Sequence, residues 1–522
     1  MAASAPSPST PFPSPPPTPP PPPPPLRLEQ RNQLAELGFF AGPITAADDA
    51  EFSLATRDFQ RRARLQPDGS IGVRTKAALS SALARPGQAP TSFYRQLRQQ
   101  GEELQAQGLA SDDLLPLLDR GLAGSPFAAS VPMYARHLEQ IPQDLVPYPA
   151  PSPGFGSYPA RGQAAAILSG QEGLGGLEFL SEEVAQACVA IGSFGADQPL
   201  RVRWYGRQAD GVNVQFWSAT KIAAALHVLC QANRRSPMTP IGDCRIGPAD
   251  RSGLGAEVAE AVAEAVAEAA AATAGGVGVA AGGAGLVAGG EGFGDLFRQM
   301  VSYEKDAQSP GHSNALGALF KTLVNPGEEN VQQWLRQLTA NPSLVLMGRY
   351  GTPSYIENGA LFGPAGVLVG YREPPRSRNL VSAADLVRLL TLVGWHHQLG
   401  PDQRLAGAHW TSLRTVVEGL GHDSARYIDA ALENLGLVDA VASPVIISKL
   451  GYGAETADPK IDALTYAAFA QFSDLRSGQP RQRSFALALR IPTAPGAGVR
   501  HDARMAAEVT EIVRRVFAEE WG

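Results

Sequence analysis

Apolar positions along the chain fall into blocks of different period. Between residues 30 and 85 the spacing is helical and each run is short. Leu34 and Leu37 share one face and Gly38 stops the run; Phe52, Ala55 and Phe59 form a second; Ala78 and Leu79 belong to a third entered after Gly72. Three short helices are predicted there. Residues 86–160 carry weaker amphipathic spacing, clearest from Tyr94 to Leu118, and then the Pro/Gly-rich stretch Val146–Gly156, so they read as a connector with short helices. From 161 to 522 the period changes repeatedly. Ile222–Leu226 is an apolar helical run, while Val445–Ile447, Leu464–Phe472 and Ser484–Ile491 read as strands. A closing helix from about Ala503 to Trp521 lines Met505, Val509, Ile512, Val513, Val516 and Phe517 on one face. Strands mixed with helices in this way predict an α+β domain.

Two segments stand outside these patterns. Residues 1–29 are a proline-rich arm, nearly unbroken proline from Pro15 to Pro25, expected to be a disordered polyproline spacer rather than a signal peptide. Residues 255–292 begin as an Ala-rich helix with Val258, Val262 and Val266 four apart and Glu between them. They then dissolve into Gly/Ala low complexity, an insertion expected to be mobile. The uncharged part of it is too poor in large apolar side chains to serve as a membrane span.

Composition narrows the classes. The chain has 522 residues, too many for a single compact core, and a formal charge of −6, which offers no electrostatic footprint for nucleic acid. Its three cysteines, Cys188, Cys230 and Cys244, lie in no metal-binding spacing. Buried free thiols are expected, a Cys230–Cys244 bridge being the alternative. His396, His397 and His409 lack acidic or thiol partners at ligand spacing and read as structural. No metal or other cofactor is expected.

The first block contains Leu37-Gly38-Phe39, Phe59-Gln60 and Asp68-Gly69-x-Ile71-Gly72-x-x-Thr75 in that order. It resembles the peptidoglycan-binding domain found at the ends of many bacterial wall hydrolases. The resemblance implies a glycan or stem-peptide ligand. The acidic stretch Ala46–Glu51 is longer than the family's usual turn.

The large block holds Ser218-Ala219-Thr220-Lys221 at the head of its apolar helix. Three residues is nearly one helical turn, so the lysine reaches the serine hydroxyl. A serine needs a base, and a lysine desolvated by an apolar wall becomes one. A second S-x-x-K, Ser302–Lys305, has neither an apolar strand before it nor an apolar helix after it and is set aside. Downstream follow His312-Ser313-Asn314 and then Lys449-Leu450-Gly451 behind a β-branched run.

This order resembles the serine β-lactamase and penicillin-binding-protein superfamily, with its S-x-x-K, S-x-N and K-[ST]-G motifs. The resemblance implies an antiparallel sheet flanked by helices, Ser218 as the acylated nucleophile and Lys221 as its base. It further implies that Asn314 orients the substrate amide and Lys221, that Lys449 holds the substrate carboxylate, and that the N–H groups of Ser218 and Tyr452, beside Gly451, form the oxyanion hole.

Two positions depart from the motifs: His312 stands where serine is usual and Leu450 where a hydroxyl residue is usual. Imidazole titrates near neutrality and is able to relay protons, whereas a loop histidine beside Pro310-Gly311 is the plainer reading. Glu373 is the one candidate for activating a deacylating water, and it sits too near the next helix to match the family loop.

Three functions follow. The first is a serine hydrolase of D-Ala-D-Ala peptidase type, with β-lactams as possible ligands. The second is a pseudoenzyme that binds peptidoglycan; the third is a true β-lactamase. Retention of Ser218, Lys221, Asn314 and Lys449 favours the first. Each implies the cell envelope or periplasm, while the absence of a visible signal peptide leaves a cytoplasmic location open.

Overall fold

The computed structural model describes residues 25–42, 49–109, 115–117, 120–151, 154–163, 176–210, 212–248, 290–306, 308–324, 328–348, 359–363, 368–372, 378–455 and 458–521. The proline arm up to residue 24, nearly all of the Ala/Gly insertion and Glu373 lie outside the described residues. The chain divides into two compact units, Met1–Thr91 and Ser92–Gly522.

In the first unit α1 (Pro25–Glu36), α2 (Asp49–Arg62) and α3 (Val73–Ala84) close over Leu34, Phe39, Phe40, Phe59 and Leu79, all buried. Gly38 takes a φ of 82°, which lets the chain leave α1 and turn Phe39 edge-on to Phe59 at 5.4 Å. Gln60, also buried, organises the following turn. Its amide nitrogen reaches Asp68 Oδ1 at 2.8 Å, Ser70 O at 2.9 Å and Thr75 Oγ1 at 3.0 Å, while its oxygen accepts from Gly69 N at 2.9 Å. The Phe-Gln and Asp-Gly signatures are thus two halves of one hydrogen-bonded turn.

The second unit is α+β. It opens with α4 (Tyr94–Ala106) and α5 (Tyr134–Glu139), then β1 (Gly156–Ser157), β2 (Gln186–Gly195) and β3 (Gln198–Arg207). Next come α6 (Lys221–Arg235), β4 (Arg245–Pro248), β5 (Glu291–Gly292), α7 (Phe293–Ser302) and α8 (His312–Thr322). β6 (Leu323–Val324), α9 (Val331–Thr339), β7 (Val345–Leu346), β8 (Gly359–Phe362), β9 (Leu368–Arg372) and β10 (Asn379–Leu380) follow. The chain closes with α10 (Ala383–Gly394), α11 (Trp410–Gly421), α12 (Tyr427–Asn434), β11 (Val441–Ala454), β12 (Asp462–Asp474), β13 (Arg481–Thr493) and α13 (Gly498–Phe517).

The main sheet is antiparallel, in the order β1-β3-β2-β13-β12-β11. Helices cover both of its faces. Trp395, just past α10, packs edge-on to Phe469 at 5.8 Å and donates to Ser484, whereas Phe472 meets Phe517 of α13 at 6.0 Å. Phe469 and Phe472 are three apart on β12, so they point to opposite faces. β11 is left at the sheet edge, which is where the site forms.

Residues 92–160, read from the sequence as a connector, belong to this second unit. Tyr134, Leu138, Tyr148, Phe155 and Tyr158 are buried, and Val146 bridges to Arg481 beside β13. Tyr158 shares a 2.7 Å hydrogen bond with Thr391 of α10. The aromatics scattered among the prolines are what draw this segment down. All three cysteines are buried free thiols.

Candidate active site

Ser218 lies in the 3-10 turn Trp217–Thr220, which runs directly into α6. The turn is pinned at both ends, Ala219 N donating to Phe216 O at 3.0 Å and Thr220 Oγ1 to Trp217 O at 2.7 Å. Trp217 has a φ of 45°, a costly conformation for a large side chain, held here by its packing over Gly453. α6 is buried from Lys221 to Asn233, the signature of a helix through the middle of a domain.

β11 passes unusually close to this turn. A Cβ on Gly451 would fall 2.5 Å from Phe216 O and 2.8 Å from Ser218 N, so only glycine allows the approach. Thr465 Oγ1 of β12 lies 3.0 Å from both Phe216 O and Gly451 O, tying turn and strand together. Leu450 N donates outward to Asp423 at 3.0 Å, away from β12. Backbone N–H groups alternate along an antiparallel strand, so Tyr452 N–H points to the same edge.

Lys221 is fully buried. Its Nζ donates to Ser313 Oγ at 2.6 Å and to Asn314 Oδ1 at 3.2 Å. Ser313 directs its own hydroxyl proton to Met300 O, so it accepts from the lysine. Burial, reinforced by the charge of Lys449, holds the Lys221 amine well below its ordinary range. Ser313 and Asn314 together fix the position of Nζ.

Lys449 is also fully buried but keeps its proton. Burial alone would lower its pKa; the Asp423 carboxylate and Tyr303 outweigh that and hold it above the usual lysine value. Its Nζ donates to Asp423 Oδ1 at 3.1 Å and to Val301 O at 3.0 Å. Asp423 accepts two further hydrogen bonds, from Ser448 Oγ and Leu450 N, which satisfies it in a site with no exposure.

Tyr303 stands between the two lysines. Its ring centroid is 3.8 Å from Lys449 Nζ and 5.3 Å from Lys221 Nζ, and its hydroxyl donates to Leu450 O at 3.2 Å. It ends α7 in the left-handed conformation, with a φ of 60°.

The structure therefore gathers Ser218, Lys221, Asn314, Lys449, Gly451 and Tyr452 at one junction of α6, α8 and β11. His312 begins α8, and its Nε2 pairs with Gln299 at 3.0 Å. Burial lowers its pKa. Leu450 buries its side chain and contributes backbone only. Three residues were missed from the sequence: Ser313, Tyr303 and Asp423. Ser313 is the middle residue of a motif read at its ends, and Tyr303 lay inside the S-x-x-K copy set aside. Asp423 carries no motif at all.

Comparison with known proteins agrees with the first unit and is loose for the second. Residues 25–79 match the family model described as "Putative peptidoglycan binding domain". No curated protein matches the chain. Among solved structures, the class A β-lactamase of the reconstructed last common ancestor of Gram-negative bacteria is 16% identical, with 64% of this chain and 95% of that chain covered at a TM-score of 0.32. A class A β-lactamase representative from Bacteroides cellulosilyticus is 11% identical, covering 68% and 99% at 0.30. The TLA-3 extended-spectrum β-lactamase is 10% identical, covering 67% and 96% at 0.33. Superposition at these scores decides neither reaction nor substrate.

Proposed function

We propose that this chain is a cell-envelope serine hydrolase that grips peptidoglycan with its N-terminal unit and forms an acyl-enzyme on Ser218. The observation that carries the reading is Lys221, fully buried, its pKa depressed and its Nζ positioned by Ser313 and Asn314, one turn after a serine at a helix start. A buried amine with a depressed pKa is the kind of base that a serine nucleophile needs.

In this mechanism Ser218 Oγ attacks the substrate carbonyl while its proton passes to Lys221 Nζ. The carbonyl electron pair moves onto oxygen, where the N–H groups of Ser218 and Tyr452 receive it. As the tetrahedral intermediate collapses, the carbon–nitrogen bond breaks and the proton held by Lys221 is delivered to the leaving amine. Water then cleaves the ester on Ser218. Asn314 keeps Lys221 aimed. Lys449 acts through charge, disfavouring a proton on Lys221.

The test is labelling by an alkyl fluorophosphonate read as intact mass, with Ser218→Ala as control. A single adduct that disappears in the variant supports the nucleophile. No adduct at millimolar probe over hours would sink the acyl-enzyme and leave the second reading, a peptidoglycan-binding pseudoenzyme. That alternative draws its support from Lys449, which is buried in a pair with Asp423 rather than presented to a ligand.

A further inference from the structure

An ammonium group has three N–H donors. On Lys449 two of them point to Asp423 Oδ1 and Val301 O, and the face of the Tyr303 ring covers Nζ at 3.8 Å. The ring is not free to swing aside, because its hydroxyl is tied to Leu450 O and its backbone closes α7. Beside Lys449 the strand offers Leu450, which has no hydroxyl to add. The sequence pattern supplies a cation for a substrate carboxylate, and the packing has covered it.

The cost of bringing a carboxylate here is larger than one lost contact. Burial and the positive charge of Lys449 hold the pKa of Lys221 down. A substrate carboxylate entering without a partner would favour a proton on Lys221 and remove the base it needs.

Resting on the acyl-transfer reading above, we propose that Tyr303 sets the specificity of the Ser218 site. It admits carbonyl substrates with no carboxylate beside the scissile bond, such as an internal peptide or ester linkage, and disfavours those that end in a free carboxylate there. Tyr303 is a specificity residue in this account, and the bonds made and broken are those of the serine mechanism already given.

The experiment compares two thioesters with the same acyl group, one releasing mercaptoacetate and the other mercaptoacetamide, on the full chain with Ser218→Ala as blank. The leaving groups differ in charge. The amide is expected to have a kcat/KM at least about tenfold higher, the scale of one charge-assisted contact. Tyr303→Gly should narrow that ratio by about tenfold, and glycine tolerates the left-handed backbone at this position. An acid thioester turned over as fast as the amide would overturn the proposal and leave the serine mechanism standing. A preference for the amide that survives in Tyr303→Gly would overturn the assignment to Tyr303. Turnover of neither, above the Ser218→Ala blank, would overturn the acyl-transfer reading and this inference with it.

Discussion

Two lysines within one site behave oppositely, and their neighbours explain why. Lys221 donates to neutral acceptors, Ser313 and Asn314, and burial with the charge of Lys449 outweighs the pull of Asp306 and Asp423 toward its charged form. Lys449 has Asp423 at 3.1 Å and the electron-rich face of Tyr303, and stays charged. The charge on Lys449 in turn lowers the pKa of Lys221. Replacing it in Lys449→Met removes that repulsion and frees the Asp423 carboxylate, and both changes favour the protonated form of Lys221. The base works only when deprotonated, so the rate rises with pH through its pKa. The acid limb of Ser218 acylation should therefore shift to higher pH in Lys449→Met, with a slower rate at neutral pH. A pH profile of acylation by the neutral thioester checks this; an unmoved limb would show that Lys449 does not set the base.

At the scale of elements, the site depends on how closely a strand edge passes a helix start. Gly451 lets β11 lie against the turn that carries Ser218, and Thr465 locks the two through Phe216 O and Gly451 O. The atoms nearest an added Cβ at Gly451 include backbone, Phe216 O and Ser218 N, so no side-chain rotation relieves the clash. Gly451→Ala is expected to cost roughly 1–3 kcal/mol of stability, as overpacking does, and to cut Ser218 acylation by more than that loss accounts for. Thermal melts run beside fluorophosphonate labelling measure both. Full reactivity in a folded Gly451→Ala protein would mean that the strand and the turn need not meet as they do here.

At the scale of the whole molecule, the residues that match the peptidoglycan-binding family model and the Ser218 site reside in separate compact units. Phe59 is completely buried in the first and packs against Phe39. Phe59→Ala should destabilise that unit by about 3–5 kcal/mol, enough to unfold a small domain. Sedimentation with purified sacculi should fall to background while Ser218 labelling stays at the wild-type level. Retention on sacculi would assign wall binding to the larger unit instead.

Local chemistry was legible in the sequence. The helices of the first unit, the strands β11 to β13 and the helix behind Ser218 all announce themselves through period and turn residues, because short-range packing demands are written into neighbouring positions. Ser218 and Lys221 were readable for the same reason, being three residues apart at a helix head, whereas Asn314 belongs to a separate motif and reaches Lys221 only through the packing of α8 against α6. What the sequence left open depends on contacts between distant segments. Asp423 reaches Lys449 from a loop before α12, and Tyr303 reaches it from the end of α7. Whether a motif lysine faces a ligand or lies under a tyrosine is decided by that packing, and a linear pattern holds no record of it. The sequence determined that a serine and a lysine would both sit at the head of a buried helix, since they lie within one turn of each other. Tertiary structure alone decided which lysine carries the charge, because that depends on the groups the fold brings in from elsewhere.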